Sequence, residues 1–252
     1  MKALLCLLGY LALTVHTVDA LEITAKEILD RSEYAKGEGL PGLTVDLYVS
    51  TTEDGSVKER YLELKIGGLP NGTDDHSLAE FTRPARYKGQ KLLTSRGNMW
   101  FVRPGLSKPV PISPRQKMLG SASNGDIAST NFIDNYEPKI LREETVDGDD
   151  CYVLELKAIN KVATYDRIVY WVYKGSFLGF KADYYTASGK LFKSATFEYD
   201  NQVNDSGKVR KFLSKMVIND RVQEGNVTVM KYSNVVAKLI PPSAFNLSLL
   251  VR

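Results

Sequence analysis

The sequence contains few of the residues that most catalytic and metal centres require. Among its 252 residues there are two cysteines and two histidines, and one of each, Cys6 and His16, falls within a predicted N-terminal leader. The remaining pair, Cys151 and His76, excludes an internal disulfide and a zinc site built from cysteine and histidine in the exported chain. A hydrolase with a histidine base would depend on His76. We interpret this residue as part of a loop, without a catalytic role, because residues 71–77 are polar and rich in turn formers.

Excess charge and long apolar runs are also lacking. The 33 basic and 30 acidic residues give a net charge of +3, which predicts no strong attraction to nucleic acid. Basic stretches at 83–91 and 208–215 are typical of solvated strand faces. After the N-terminus, no stretch reaches the roughly 18 continuous apolar residues of a membrane helix.

The first 20 residues have the pattern of a secretory signal peptide. Lys2 precedes an apolar run at 3–15, and Val18-Asp19-Ala20 places small residues where a signal peptidase reads them. The run is too short and wrongly flanked for a membrane span. We therefore expect export to the periplasm and a mature chain of residues 21–252. This mature chain should form one domain, because neither a boundary nor an internal repeat is visible.

Local patterning predicts one helix followed by a mainly β chain. Thr24 and Glu27 have the spacing of a capping box, and Gly37 predicts the end of the helix. From Leu43 onward, apolar and polar residues alternate with period two, as in strands with one dry and one wet face. Turn pairs such as Asp54-Gly55 separate about ten or eleven such segments, which favours an antiparallel meander curled into an incomplete barrel. The predicted strands are 43–49, 61–66, 78–81, 91–95, 99–102, 151–159, 165–173, 178–185, 191–199, 209–218 and 227–235.

The alternation stops between Pro104 and Glu137. Four prolines, at positions 104, 109, 111 and 114, are incompatible with a central strand and predict an edge or crossing segment. Apolar residues after them predict a short helix across the sheet, at Ile127, Phe132, Ile133 and Tyr136.

Several short segments occur in an order that spans most of the mature chain. In the first half they are Asp54-Gly55, 61–66, 77–81, 88–93, 99–104 and Ile112-Ser113; in the second half they are 151–154, 165–172, 184–185, 189–191 and Phe245. In these segments the chain resembles the LolA-like family of outer-membrane lipoprotein-sorting proteins. Where many relatives carry Gly-Ser-Asp-Phe and acidic residues, residues 119–127 read Leu-Gly-Ser-Ala-Ser-Asn-Gly-Asp-Ile, which indicates a divergent branch.

This resemblance implies a half-open antiparallel barrel of the LolA/LolB type, with an N-terminal helix and a short helical lid. It implies a periplasmic carrier whose partners are a lipid or acylated lipoprotein cargo and an inner-membrane transporter. Acyl chains would be passed towards the outer membrane. No catalytic residue, cofactor or metal comes with the family, so we expect a protein that is not an enzyme.

An acyl chain has no group to hydrogen-bond, so its site must be dry and shaped to fit it. Each buried methylene contributes about 0.8 kcal/mol, so one long chain gains on the order of 10 kcal/mol before ordering costs. The candidate lining lies on the dry strand faces: Leu47, Val49, Leu64, Ile66, Trp100, Leu154, Leu156, Tyr170, Phe180, Tyr184 and Phe197. The candidate lid consists of Ile127, Phe132 and Ile133. The alternative for each of these side chains is an ordinary packed core.

Two other functions are compatible with the sequence. The basic, proline-rich stretch 103–115 would suit an envelope adaptor that docks a membrane transporter by strand addition, without lipid cargo. A hydrolase with paired carboxylates would have to use residues such as Glu155 or Glu198, but both alternate to the wet face of their strands.

Overall fold

The computed structural model describes residues 22–37, 39–67, 76–128, 132–205 and 207–251. The predicted signal peptide, residues 1–20, lies outside these ranges. Within them, no helix combines the length and the apolar character needed to cross a membrane.

The predicted N-terminal helix is present as α1, Ala25–Lys36. The side chain of Thr24 accepts a hydrogen bond from the backbone N–H of Glu27 at 3.2 Å, which satisfies one of the free donors of the first turn. Gly37 adopts a left-handed conformation with φ of 119° and donates to the carbonyls of the last turn, as expected of a helix end. Ile28 and Leu29 are buried against the sheet.

Strands make up most of the remaining chain. They are β1 (Leu43–Glu53), β2 (Ser56–Gly67), β3 (His76–Arg83), β4 (Lys91–Ser95), β5 (Asn98–Val102), β6 (Val110–Ile112), β7 (Lys117–Leu119), β8 (Ala122–Ser123), β9 (Tyr136–Val146), β10 (Asp149–Ala158), β11 (Arg167–Tyr173), β12 (Gly179–Tyr185), β13 (Leu191–Glu198), β14 (Asn201–Asp205), β15 (Lys208–Phe212), β16 (Lys215–Asp220) and β17 (Val227–Ala237). The helices after α1 are α2 (Asn124–Ala128) and α3 (Leu247–Leu250), with 3₁₀ turns at Ala85–Tyr87 and Pro242–Phe245.

Thirteen of these strands form one antiparallel sheet with the order β6-β5-β4-β3-β2-β1-β17-β16-β13-β12-β11-β10-β9. The sheet does not close, because β6 and β9 at its two ends are not paired with each other. Leu64 from one half and Leu154 from the other belong to the same buried core, so the sheet curls around its inner face. This confirms the predicted mainly β, half-open barrel, with more strands than the predicted ten or eleven.

The alternation in β1 sorts side chains between the two faces as predicted. Leu43, Val45, Leu47 and Val49 are each at most 4% exposed. The Asp54-Gly55 pair closes the hairpin to β2, with φ of 48° and 75°, as a tight turn between twisted strands requires.

The sequence-based assignment missed the strand β9. This strand is eleven residues long, but it lies at the sheet edge, contains Pro138 and is mostly exposed, so its apolar pattern is weak. Tyr136, which was assigned to the lid helix, is its first residue. The predicted strand 209–218 is in fact two strands: β15 leaves the main sheet, pairs with β14 and lies against α1. His76 opens β3 rather than lying in a loop.

Two smaller apolar clusters cover the outer face of the sheet. Leu78 and Leu93 pack there beneath Ile240 and Phe245 of the C-terminal segment. Val153, Val169 and Trp171 form the other cluster. Several strands are therefore buried on both faces, which weakens their period-two signal.

Candidate functional site

A partly enclosed cavity of about 770 Å³ lies on the inner face of the sheet. One wall comes from β1 and β2, through Val45, Leu64 and Ile66, and the opposite wall includes Tyr170 and Phe197. This volume falls within the ~300–1,000 Å³ range of small-molecule sites, which are mostly apolar and concave. The arrangement is therefore suited to holding an elongated apolar molecule.

Helix α1 covers part of this cavity and carries a nearly buried ion pair. Lys36 Nζ lies 2.7 Å from Glu33 Oε1, with side chains 15% and 5% exposed. The same ammonium lies 4.5 Å from the centre of the Phe132 ring, which packs edge-on against Tyr170 at 5.5 Å. These contacts connect α1, the segment at 132–133 and the far wall of the cavity.

A second element, which we call the plug, fills the sheet interior next to the cavity. The plug consists of residues 113–128 and includes β7, β8 and α2. Its Leu119 and Ala122 belong to the main buried core, and the backbone N–H of Ser121 donates to Thr228 Oγ1 at 3.0 Å. The plug therefore limits how much of the inner face remains available to a ligand.

The structure places many of the predicted lining residues on the cavity wall. These are Leu64, Ile66, Tyr170, Tyr184 and Phe197, together with the lid residues Ile127, Phe132 and Ile133. Ile127 belongs to α2, whereas Phe132 and Ile133 lie in the turn before β9. Of the predicted lid, only Ile127 is therefore in a helix among the described residues.

Four predicted lining residues are buried elsewhere in the core. Leu47, Val49, Leu154 and Leu156 are each at most 2% exposed and share one cluster with Leu119 of the plug. They face the inside of the sheet as the alternation predicts. They are not on the cavity wall, because other side chains already fill the space against them.

The prediction that Trp100 and Phe180 line the cavity is wrong, because both side chains pack on the outer face of the sheet. Trp100 contacts the cluster beneath the C-terminal segment, and its neighbour Met99 faces the cavity instead. At Phe180 a bulge shifts the register between Trp171 and Val172. The extra residue turns Phe180 to the outer cluster, as bulges do when they re-aim a side chain.

Sequence reasoning also missed a buried polar network beside the cavity. Lys193 Nζ lies 2.5 Å from Asp126 Oδ2, and the two side chains are 2% and 5% exposed. Asp126 also accepts hydrogen bonds from Tyr165 Oη at 2.7 Å and from the backbone N–H of Ser123 at 2.7 Å. The sequence did contain a signal for this network: Lys193 is two residues from Ala195 and four from Phe197, so all three side chains point to the inner face of the sheet.

Burial is the largest cause of the pKa shifts in this network. Desolvation lowers the pKa of Lys193, although the Asp126 carboxylate opposes that shift. Burial, followed by the negative charge of Asp126, raises the pKa of Tyr165 well above its usual value. The plug is thus attached to β13 by charged and polar groups that solvent hardly reaches.

The two carboxylates that would serve a hydrolase are paired outside the cavity. Glu155 lies 2.5 Å from Arg167 Nε, and Glu198 lies 2.8 Å from Lys215 Nζ. Their side chains are 27% and 50% exposed, which places them on the wet face, as the alternation predicts.

A family model and several solved structures of known proteins are similar to this chain. A family model described only as uncharacterized protein-like matches residues 73–252. A LolA superfamily protein from Nitrosomonas europaea is 30% identical, with a TM-score of 0.77 over 89% of this chain and 98% of its own. A DUF1329 family protein from Desulfovibrio piger is 26% identical, with a TM-score of 0.75 over 90% and 97%.

A putative outer membrane lipoprotein-sorting protein domain from Vibrio parahaemolyticus shares the fold. It is 23% identical, with a TM-score of 0.78 over 90% of this chain and 98% of its own. The search of curated proteins gave no match.

Proposed function

The chain belongs to the LolA superfamily, and from that premise we propose that it is a periplasmic carrier without enzymatic activity. In this proposal the cavity binds acyl chains of a lipid or lipoprotein and passes them towards the outer membrane. The N-terminal secretory pattern supports export. An inner-membrane transporter is the proposed donor of the cargo.

The observation that carries the proposal is the unfilled space between the sheet, α1 and the plug. Protein interiors are normally close-packed. A sealed void of about 770 Å³ would cost roughly 18 kcal/mol at about 24 cal/mol per Å³, more than the ~5–15 kcal/mol by which domains are stable. A space of this size is therefore maintained only if it admits solvent or ligand, and its apolar lining favours a hydrocarbon.

Partial enclosure also suits a carrier. Complete burial of a long acyl chain at about 0.8 kcal/mol per methylene would make release slow. Because the cavity is only partly enclosed, part of the cargo can stay exposed and be handed on.

Mass spectrometry of organic extracts from protein purified out of the periplasm tests the proposal. Wild type should release an acylated lipid, and Ile66→Trp should retain several-fold less, because the larger ring occupies the cavity. The matched control is Val57→Trp on the same strand, where the native side chain is 63% exposed. A wild-type protein that carries no lipid and takes up no added fluorescent fatty acid would contradict the proposal.

The adaptor function remains a second candidate because of one observation. The proline-rich stretch 103–115 contains β6, which forms a free end of the sheet, and Val110 in that strand is 45% exposed. An edge of this kind can accept a strand from a partner. Co-purification of a membrane transporter with lipid-free protein would favour this function over the carrier.

A further inference from the structure

Two polar residues interrupt an otherwise apolar row across the cavity wall. Residues paired across neighbouring strands point to the same face. On the inner face of β1–β5 the paired residues run in the order Leu43, Ile66, Ser77, Thr94 and Met99, and all of them line the cavity. The next row is entirely apolar: Leu64, Ala79, Leu92 and Phe101.

Thr94 is the unusual member of this row. It is 5% exposed, and its Oγ1 has no hydrogen-bond partner within the part of the chain that the structure describes. Buried hydroxyl groups are nearly always bonded, because leaving one without a partner forfeits its hydration. Thr94 lies on the wall of a cavity large enough for a ligand, but its Oγ1 is itself closed to solvent, so the side chain must rotate about χ1 before the cargo can supply the missing partner.

We propose that the Thr94 hydroxyl donates a hydrogen bond to the carbonyl oxygen of an acyl ester or amide, which makes the cavity selective for acylated compounds over plain hydrocarbon chains. This inference rests on the proposed carrier function and names its substrate class. A carbonyl oxygen only accepts, and the threonine hydroxyl supplies the one donor needed. Ile66 and Met99, which flank the polar pair in the row, would contact the methylenes next to the carbonyl.

Two probes that differ only at this carbonyl test the inference. One is a monoacylglycerol, and the other is the alkyl ether of glycerol with the same chain length. Each competes with a fluorescent fatty acid for delipidated wild type, Thr94→Val and Thr94→Ser. Valine keeps the shape of threonine without the hydroxyl, and serine keeps the hydroxyl.

Thr94→Val should bind the ester about 3- to 10-fold more weakly, the loss typical of one hydrogen bond. Its binding of the ether should change less than about 2-fold, and Thr94→Ser should retain the preference for the ester. Thr44→Val, at a half-buried position on the outer face of β1, is the matched control and should alter neither probe.

The outcomes separate the inference from the proposed function. If wild type binds neither probe, the carrier function itself is wrong. If wild type binds both probes but Thr94→Val affects them equally, or affects neither, the carbonyl contact is wrong and the carrier function is retained. Loss of the ester preference in Thr94→Ser would likewise overturn the role of the hydroxyl.

Discussion

Replacing Lys193 with methionine should remove a large part of the stability of the fold. Methionine has nearly the same length but no charge, so Asp126, at 5% exposure, would lose its cationic partner and would keep, among the described residues, the Tyr165 hydroxyl and the Ser123 amide as donors. Breaking a buried ion pair by removing one partner costs about 3–5 kcal/mol. That is between a fifth and the whole of the ~5–15 kcal/mol of a typical domain.

Urea unfolding, followed by circular dichroism, measures this change. The double variant Lys193→Met, Asp126→Asn leaves no unpaired charge, so it should cost less than the sum of the two single variants. Lys26→Met is the control, because the Lys26–Asp30 pair is 71% and 42% exposed, and its loss should cost below about 1 kcal/mol.

Hydrogen exchange at residues 120–128 provides a second measurement. Faster exchange there in Lys193→Met would show that the plug detaches from β13 before the sheet unfolds. A Lys193→Met protein that is no less stable than Lys26→Met would refute the argument that this network is desolvated.

Two further predictions concern pH and the plug. Burial raises the pKa of Tyr136 from 10.0 to about 12, so the stability that this side chain contributes is complete below pH 10 and is lost as the pH rises towards 12. Urea unfolding at a series of alkaline pH values should therefore show a shallower decline in the free energy of unfolding for Tyr136→Phe than for wild type. An identical decline would contradict this. Gly120→Ala should destabilise by about 1–3 kcal/mol, because its Cβ would lie 2.6 Å from Thr228 Oγ1 at a φ of 57°. Gly148→Ala, with a φ of 94° and nothing within 4 Å, is the control; equal shifts in thermal denaturation midpoint would contradict the role of the close contact.

Features with local causes could be predicted from the sequence. The start of α1 follows from the hydroxyl of Thr24, and its end follows from Gly37. The faces of β1 follow from strict alternation, because each strand residue points opposite to its neighbours. The same rule placed Leu64, Ile66 and Tyr184 on the inside, where they line the cavity.

Features that depend on distant segments could not be predicted. Trp100 is buried on the outer face because the C-terminal segment packs there, and the pattern of β5 does not show which segment will cover it. Phe180 faces outward because of a bulge that shifts the register by one residue, which reverses the face of a side chain. For Lys193 and Thr94, the alternation of the strand predicts an inward-facing side chain. Which groups bond to them, or fail to, can be read only from the packed structure.

An open sheet has two ends, and both contain a proline. Pro111 lies in β6 and Pro138 in the long strand β9, and each removes one backbone N–H from its edge strand, which weakens the pairing of an added strand without excluding it. Along β9, charged side chains such as Glu137, Lys139 and Glu143 are exposed and discourage edge-to-edge association. The prolines and charges therefore make it harder for neighbouring copies to join edges and polymerise while the sheet stays open.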